Sequence, residues 1–345
     1  MKIGLGINYA GGFKEVVAEV ADLEKAGLDV VFVPEAYSFD AISALGYLAA
    51  ATERVELASG VLQLYTRTPT LTAMTAAGLD YVSDGRYILG LGASGPQVIE
   101  GFHGLPYDNP IGRTREVVEI CRQVWRRERL AYQGKHYTIP LPEGQGTGLG
   151  KSLKLINHPV RERIPVLLAA LGPKNVELAA EIAEGWQPIF YMPEKAKDVW
   201  GDALAAGYAK RDATLPPMDI YAGPALAIGD NVEGMREFIK PHIALYIGGM
   251  GAKGKNFYHN VATKYGYGAE ADRIQELYLA GDKDGAAKVV PDELVRDISL
   301  IGSREFVKER VAAFREAGVT VLNVVPMGAT TADRVKLIEE LRELV

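Results

Sequence analysis

The chain has 345 residues, of which 48% are hydrophobic and 24% charged, a balance that allows a large buried core and excludes general disorder. Lys and Arg number 38 against 44 Asp and Glu, and the resulting formal charge of −6 leaves no electrostatic footprint for DNA or RNA. The only cysteine, Cys121, excludes an intrachain disulfide, a thiolate zinc cluster and a Cys-ligated iron–sulfur cluster. The opening "MKIGLGINYAGG" lacks the length and cleavage pattern of a signal peptide, and no run reaches the ~18 apolar residues of a membrane span. A cytosolic protein with no membrane partner is therefore expected.

In chain order, "KIGLGIN" (2–8) reads as a buried strand, and a helix follows over 13–26 with Val16, Val17, Val20, Leu23 and Ala26 on one face, closed by Gly27. The unit repeats as "VVFVP" (30–34) with "FDAISALGYLAAAT", then "VELASGVL" (55–62) with "TLTAMTAAGLDYVS", then "RYILGLG" (86–92) with a helix near 113–127. Residues 128–163 break the rhythm with Gly, Pro and Tyr and form an insertion. Alternation resumes with strands near 164–170, 186–191 and 220–228, each followed by a helical stretch. A second, mostly helical insertion spans 248–302, and a strand at 319–326 with a last helix ends the chain. About eight strand–helix units predict a (β/α)8 TIM barrel formed by one domain over 1–345, with a doubly wound open sheet as the rival.

In a parallel barrel the loops after the strands converge on one mouth and carry the chemistry. The polar residues there are Asn8, Tyr9, Glu35, Tyr37, Gln63, Tyr65, Arg67, Ser94, Gln97, Lys174, Asn175 and Tyr191. "GLGASG" places Gly90, Gly92 and Gly95 in G-x-G-x-x-G spacing, but in the fourth unit rather than the first, and a glycine turn admitting some ligand is the stronger reading. "GTGLGKS" fails as a phosphate-binding P-loop because Gln145 stands where the first glycine belongs, and Pro96 removes the G-x-S-x-G elbow around Ser94. Of the five histidines only Glu100 and His103 have a metal-like spacing, and the second copy that a di-iron site needs is missing, so no metal is expected. "AALGPKN" (169–175) turns from a strand into a helix, leaving backbone N–H groups aimed at the mouth and suited to phosphate, with Lys174 adding charge; a plain helix start fits equally well.

Taken in order, "AGLDVVFVPE", "RVELASGVLQLYTRTP", "DYVSDGRYILGLGASGP", "GRTREVVEICRQVW" and "IPVLLAALGPKNVELAAEIAEGW" resemble the bacterial-luciferase-like flavin superfamily, in particular its branch of oxidoreductases that use the deazaflavin coenzyme F420. The resemblance covers nearly the whole chain. It implies a barrel whose mouth holds the tricyclic ring against a bulge made by a non-prolyl cis peptide, here Gly60–Val61. By the same matching, Glu35 sits beside the ring as the catalytic candidate for proton transfer or ring polarisation, with the capping of the next helix as its other reading. Gln63 and the backbone of Gly92, Ala93 and Ser94 contact the ring or ribityl chain, and Ala170, Leu171 and Gly172 meet the phosphate. Arg67, Lys151, Lys154 and Lys174 are the candidate cations for the coenzyme's anionic tail.

Two departures set the chain apart from the sugar-phosphate dehydrogenases of that family: Ala36 stands in place of a histidine and Gly95 in place of a glutamate. The resemblance thus implies an F420-dependent hydride transfer to or from an unidentified small molecule, by a homodimer packed through the Ala-rich early helices. Alternatives are an FMN-dependent monooxygenase, a non-catalytic coenzyme-binding barrel, and a cofactor-free lyase or isomerase.

Overall fold

In the computed structural model, which describes residues 1–7, 12–251 and 253–345, the strands run in chain order β1 (Lys2–Gly6), β2 (Val30–Val33), β3 (Glu56–Ser59), β4 (Leu62–Gln63), β5 (Tyr87–Gly92), β6 (Tyr132–Gln133), β7 (Thr138–Ile139), β8 (Val166–Ala169), β9 (Gly185–Gln187), β10 (Asp219–Ala222), β11 (Ala225–Ile228), β12 (Leu300–Gly302) and β13 (Val321–Pro326). Asn8 and Tyr9 lie outside the described residues. Strands β1, β2, β3, β5, β8, β9, β10 and β13 pair side by side in that order. Every pairing is parallel, and β13 returns to β1 with Lys2 opposite Val321 and Leu5 opposite Val324. The ring is closed, which rules out the open doubly wound sheet.

The strands are apolar on both faces because both faces are covered. Val30, Phe32, Ala58, Ile88, Leu167, Tyr221 and Val321 fill the lower lumen, with Phe32 and Tyr221 edge to face at 5.7 Å. Alternate residues such as Ile3, Leu5, Val31, Val33 and Leu57 point outward into the layer of helices. Those helices start where the side chains supply acceptors: Asp40 caps Ala41–Ala51 and Thr68 caps Pro69–Val82. Gly27, at φ 108°, follows the first helix as expected.

Two strands depart from the sequence reading. The seventh unit bends at Gly223-Pro224, so that β10 pairs with β9 below while β11 pairs with β13 and β12 above. Residues 248–302 are not helical throughout, since they end in β12, a short strand that extends the sheet beyond the ring. The 128–163 insertion is ordered by specific bonds rather than by a core of its own. Its hairpin β6–β7 is held by Glu116, whose carboxylate accepts the backbone N–H groups of Lys135, His136 and Tyr137 at 2.8–3.2 Å. Its far end is tied by Arg161, which donates to fully buried Asp80 and to the carbonyl of Tyr87. Among the described residues no helix is long and apolar enough to cross a membrane.

The chain ends meet where the last helix (Thr331–Arg342) packs on the first (Phe13–Lys25): Arg334 donates to Glu19 at 2.6 Å, and Arg342 pairs with Asp29. Hydrogen bonding to Arg334 holds the Glu19 carboxyl below its ordinary value of 4.5, against the opposing effect of burial. A depressed folded value means that this contribution to stability is present above pH 4.5 and is lost as pH falls through the folded value. Replacing Arg334 with Met should therefore flatten the acid limb of a stability-against-pH curve below pH 4.5, measured by urea midpoints. Replacing Arg161 with Met leaves the fully buried Asp80 side chain without its partner. It should cost about 3 kcal/mol in the same measurement.

Candidate active site

The mouth takes its shape from Ser59 at the end of β3. Its hydroxyl accepts the N–H of Gly90 at 2.8 Å and lies 2.9 Å from the Gly90 carbonyl and 3.0 Å from the Tyr87 hydroxyl. β3 and β5 come so close here that a Cβ on Gly90 would lie 1.8 Å from the Ser59 carbonyl oxygen, and one on Gly92 would lie 2.6 Å from Val61 Cγ2. Gly90 and Gly92 of "GLGASG" are therefore room for a neighbouring strand. Pairing between β3 and β5 stops after Ala58, the Gly60–Val61 peptide is cis, and β4 resumes with Leu62 opposite Leu91 and Gln63 opposite Gly92. The result is a ledge, with Val61 on top, at one side of the mouth.

Gln63 is 4% exposed and donates to the Ala36 carbonyl at 3.0 Å, which fixes its amide orientation and leaves Oε1 buried without a donor among the described residues. Gly92 and Ala93 are partly exposed beside it, and Ser94, at φ 59°, turns its carbonyl to the Tyr107 hydroxyl. Glu35 is held on both oxygens: Arg67 grips it at 2.6 and 2.9 Å, and the Ala41 N–H donates to Oε2 at 3.0 Å. With side chains only 15% and 8% exposed, the pair is a closed unit. Arg67 is accordingly not a free cation for an anionic tail; hydrogen bonding to Glu35 raises its pKa despite burial.

At the end of β8 the Ala170 carbonyl accepts Trp186 Nε1 at 2.9 Å and the Leu171 carbonyl accepts Trp200 Nε1 at 3.1 Å. Ala170 is buried and its N–H reaches the Gln187 carbonyl, so of the three candidate residues only Leu171 and Gly172 are partly exposed. Gly172 opens the helix Pro173–Ile182 with no side-chain cap, and the Phe257 ring covers it, 2.8 Å from where a Cβ would stand. Lys174 leans along its own helix to Glu177 at 2.9 Å, while Lys151 and Lys154 are exposed on the insertion.

Several rim candidates turn out to be packing. Tyr191 is buried, stacked on Trp200 at 5.8 Å, and its hydroxyl donates to the Ala317 carbonyl. The Tyr65 hydroxyl donates to the Asp108 carbonyl, and Tyr37 sits exposed beside Phe102. Cys121 is buried, and that burial pushes its thiol up, away from reactivity. Among the described residues no group of three or more His, Cys, Asp or Glu is placed to hold a metal ion.

Strand alternation also brings to the mouth residues that were not singled out beforehand. Val321 lies in the lumen, so Asn323 and Val325 share its face, and Val325 is 57% exposed in mid-strand, where it borders open space. Gly6 and Gly223 likewise present no side chain, and no described atom lies within 4 Å of a Cβ built on Gly6. Asn323 Oδ1 and Gln187 Oε1 are buried acceptors without partners among the described residues. A single polar residue inside an otherwise apolar strand was the available signal for Asn323, and periodicity alone could not say which way it points. A separate cleft of about 680 Å³ opens at the opposite end of the barrel, between Lys2, Asp29, Arg315 and Arg342. No strand-to-helix loop reaches that end.

The luciferase-like monooxygenase profile matches residues 1–321, and the chain belongs to that family. It is 43% identical to a Mycobacterium tuberculosis protein named a coenzyme F420-dependent oxidoreductase, over 100% of this chain and 99% of that one. It is 27% identical to a 5,10-methylenetetrahydromethanopterin reductase of Archaeoglobus fulgidus, over 98% of this chain and 97% of the relative. The solved coenzyme F420-dependent tetrahydromethanopterin reductase of Methanopyrus kandleri superposes with a TM-score of 0.83 at 22% identity, covering 100% of this chain and 99% of that one. These relationships bear out both the superfamily and the branch expected from the sequence, and they make the chain an enzyme of oxidoreductase type.

The closed Glu35–Arg67 unit generates a direct test. Arg67→Met should cost about 3 kcal/mol by denaturant titration, because it strands a buried carboxylate. Adding Glu35→Gln should recover part of that loss, giving a coupling energy of at least ~1 kcal/mol in the double-mutant cycle.

Proposed function

We propose that the chain binds coenzyme F420 in the mouth and transfers a hydride between carbon 5 of its deazaflavin ring and a small organic substrate. The observation that carries this reading is the cradle itself: a flat ledge at Gly60–Val61, bare backbone at Gly6 and Gly223, and the buried Gln63 oxygen that lacks a donor among the described residues. A flat ring carrying an N–H group answers all of these at once, since an unpaired buried acceptor costs ~1–3 kcal/mol. The 43% identical relative named as F420-dependent favours the deazaflavin over FMN. When bound, that coenzyme supplies two-electron chemistry, because carbon in place of N5 disfavours one-electron and oxygen steps.

The chain's own residues position and shield. Val61 backs the ring, Gln63 accepts its hydrogen bond, and the peptides of Gly92, Ala93 and Ser94 line the ribityl side. The backbone N–H groups of Leu171 and Gly172, at a helix start with no side-chain cap, receive the phosphate, with Ala170 behind them as the fixed base of the loop. In this reading Glu35 acts as a positioning residue, because both carboxylate oxygens are engaged; it holds Arg67 and the start of the Ala41–Ala51 helix beside the ring. Turnover takes place in the cytosol, by a homodimer joined through the outer faces of the helices Ala41–Ala51 and Pro69–Val82, where Tyr47, Leu71 and Met74 are exposed.

Titration with oxidised F420 and with FMN, followed by coenzyme fluorescence, tests the assignment. F420 should bind at least ~10-fold more tightly than FMN. Gly6→Phe, which fills the mouth without a described clash, should abolish binding, and Gln63→Leu should weaken it about tenfold, with melting temperatures unchanged. Tighter FMN binding with oxygen consumption would instead support the monooxygenase reading. Saturable F420 binding without hydride exchange toward any substrate would leave a carrier. If Gly6→Phe binds as the wild type does, the site is misplaced.

A further inference from the structure

In a closed ring of eight strands the third faces the seventh, so the wall across the mouth from the Gly60–Val61 ledge is built by the ends of the sixth, seventh and eighth. If a flat coenzyme lies on the ledge, this far side is where its second face is open. The 248–302 insertion and the helix before it leave the ring at this wall, between the seventh and eighth strands. Helices Lys240–Gly249 and Phe257–Lys264 are latched together by Asn256, which is 2% exposed. Its side chain accepts the N–H groups of Tyr258 and His259 and donates to the carbonyls of Tyr246 and Ile247, at 2.9–3.1 Å. All four bonds are local to the latch, and together they fix Tyr246 and Tyr258 edge to face at 4.8 Å.

Phe190, three residues past the end of β9, completes this surface, with its ring 5.6 Å from Tyr246 and 6.5 Å from Tyr258. Its backbone is left-handed at φ 50°, a conformation that side chains this bulky rarely adopt. A dedicated group enforces it: the buried Tyr265 hydroxyl donates to the Phe190 carbonyl at 2.9 Å and accepts the Met192 N–H at 3.2 Å. His242 packs against Phe190 and Tyr246 at the outer edge, and that packing pushes its imidazole below the ordinary value. Phe190, Tyr246 and Tyr258 all remain partly exposed. The loop that carries the phosphate candidates adjoins this surface, since Phe257 covers Gly172.

We propose that Phe190, Tyr246 and Tyr258 form a substrate platform that selects flat, uncharged, conjugated ring compounds and presents them to the open face of the coenzyme. The proposal rests on the F420 reading above and adds the substrate class to it. Three aromatic rings without a charged member favour flat apolar area, and a puckered molecule of the same size loses contact with them. The fixed backbone at Phe190 and the Asn256 latch keep that surface from collapsing into the core when nothing is bound.

The test uses the full-length protein loaded with F420 and two two-ring ketone probes of similar size, flat menadione and puckered trans-1-decalone, with binding measured by calorimetry. Menadione should bind at least ~10-fold more tightly than the decalone, and Phe190→Leu and Tyr258→Leu should each reduce that preference to about twofold or less. Both variants should keep the wild-type melting temperature and an F420 dissociation constant within about twofold of the wild type. Equal binding of the two probes by the wild type, or an unchanged preference in both variants, overturns the platform while leaving the coenzyme site standing. Loss of F420 binding by the wild type itself overturns the redox reading, and this proposal with it. If a leucine variant loses probe and coenzyme binding together, Phe190→Tyr and Tyr258→Phe decide: flat-ring preference restored in them supports the platform, and preference still lost overturns it.

Discussion

The close approach of β3 to β5 at Ser59 and Gly90 is the constraint from which the mouth follows. Two parallel strands normally keep a spacing of ~4.8 Å with side chains alternating on both faces. Here the serine hydroxyl engages the Gly90 peptide on both its N–H and its carbonyl side, and the absent Cβ of Gly90 lets the backbones come together. Regular pairing cannot continue past that point. The chain leaves the sheet for Gly60 and Val61 and re-enters it at Leu62, which turns a strand edge into a shelf. Gln63, Arg67 and, through Arg67, Glu35 all take their positions from where β4 resumes.

Charge at the mouth is committed before any ligand arrives. Glu35 and Arg67 satisfy each other, Lys174 is drawn to Glu177, and Arg113 is held by Asp108 at 2.9 Å while its guanidinium covers the rings of Tyr65 and Tyr137. Under the proposed reading, a chain of formal charge −6 would hold an anionic coenzyme with oriented peptide N–H groups and a helix start more than with free side-chain cations. The aromatic surface of Phe190, Tyr246 and Tyr258 likewise carries no charge, and the polar groups packed against it, Asn256 and the Tyr265 hydroxyl, are bonded within the protein.

Much of the barrel was legible in the chain. Parallel strands covered on both faces read as short β-branched runs, the helices between them as periodic amphipathic stretches, and Gly27 marks a helix end by local chemistry alone. Local reading failed where tertiary contact decides. β12 is three residues long and borrows its partner from β11, more than seventy positions earlier, so no periodicity announces it. Tyr191 follows a strand like a rim residue, yet Trp200 and Phe314 on two other elements draw it inward. The glycines at 90 and 92 carry the spacing of a ligand-binding turn, but their neighbour is a strand, which only the folded register reveals.

What the amino-acid sequence by itself determined is the eight-unit rhythm, the likeness to a flavin-type oxidoreductase family, and the short segments around 35, 60, 92 and 171 where a site would form. Each of these depends on residues near one another in the chain, where propensity and spacing act directly. Only the tertiary structure decided that Glu35 is gripped by Arg67, that Asn323, Val325 and Gly6 face the open mouth, and that aromatic rings from three separate segments share one surface. Those facts depend on which faces meet after closure of the ring, and a face is set by partners brought together across tens to hundreds of residues.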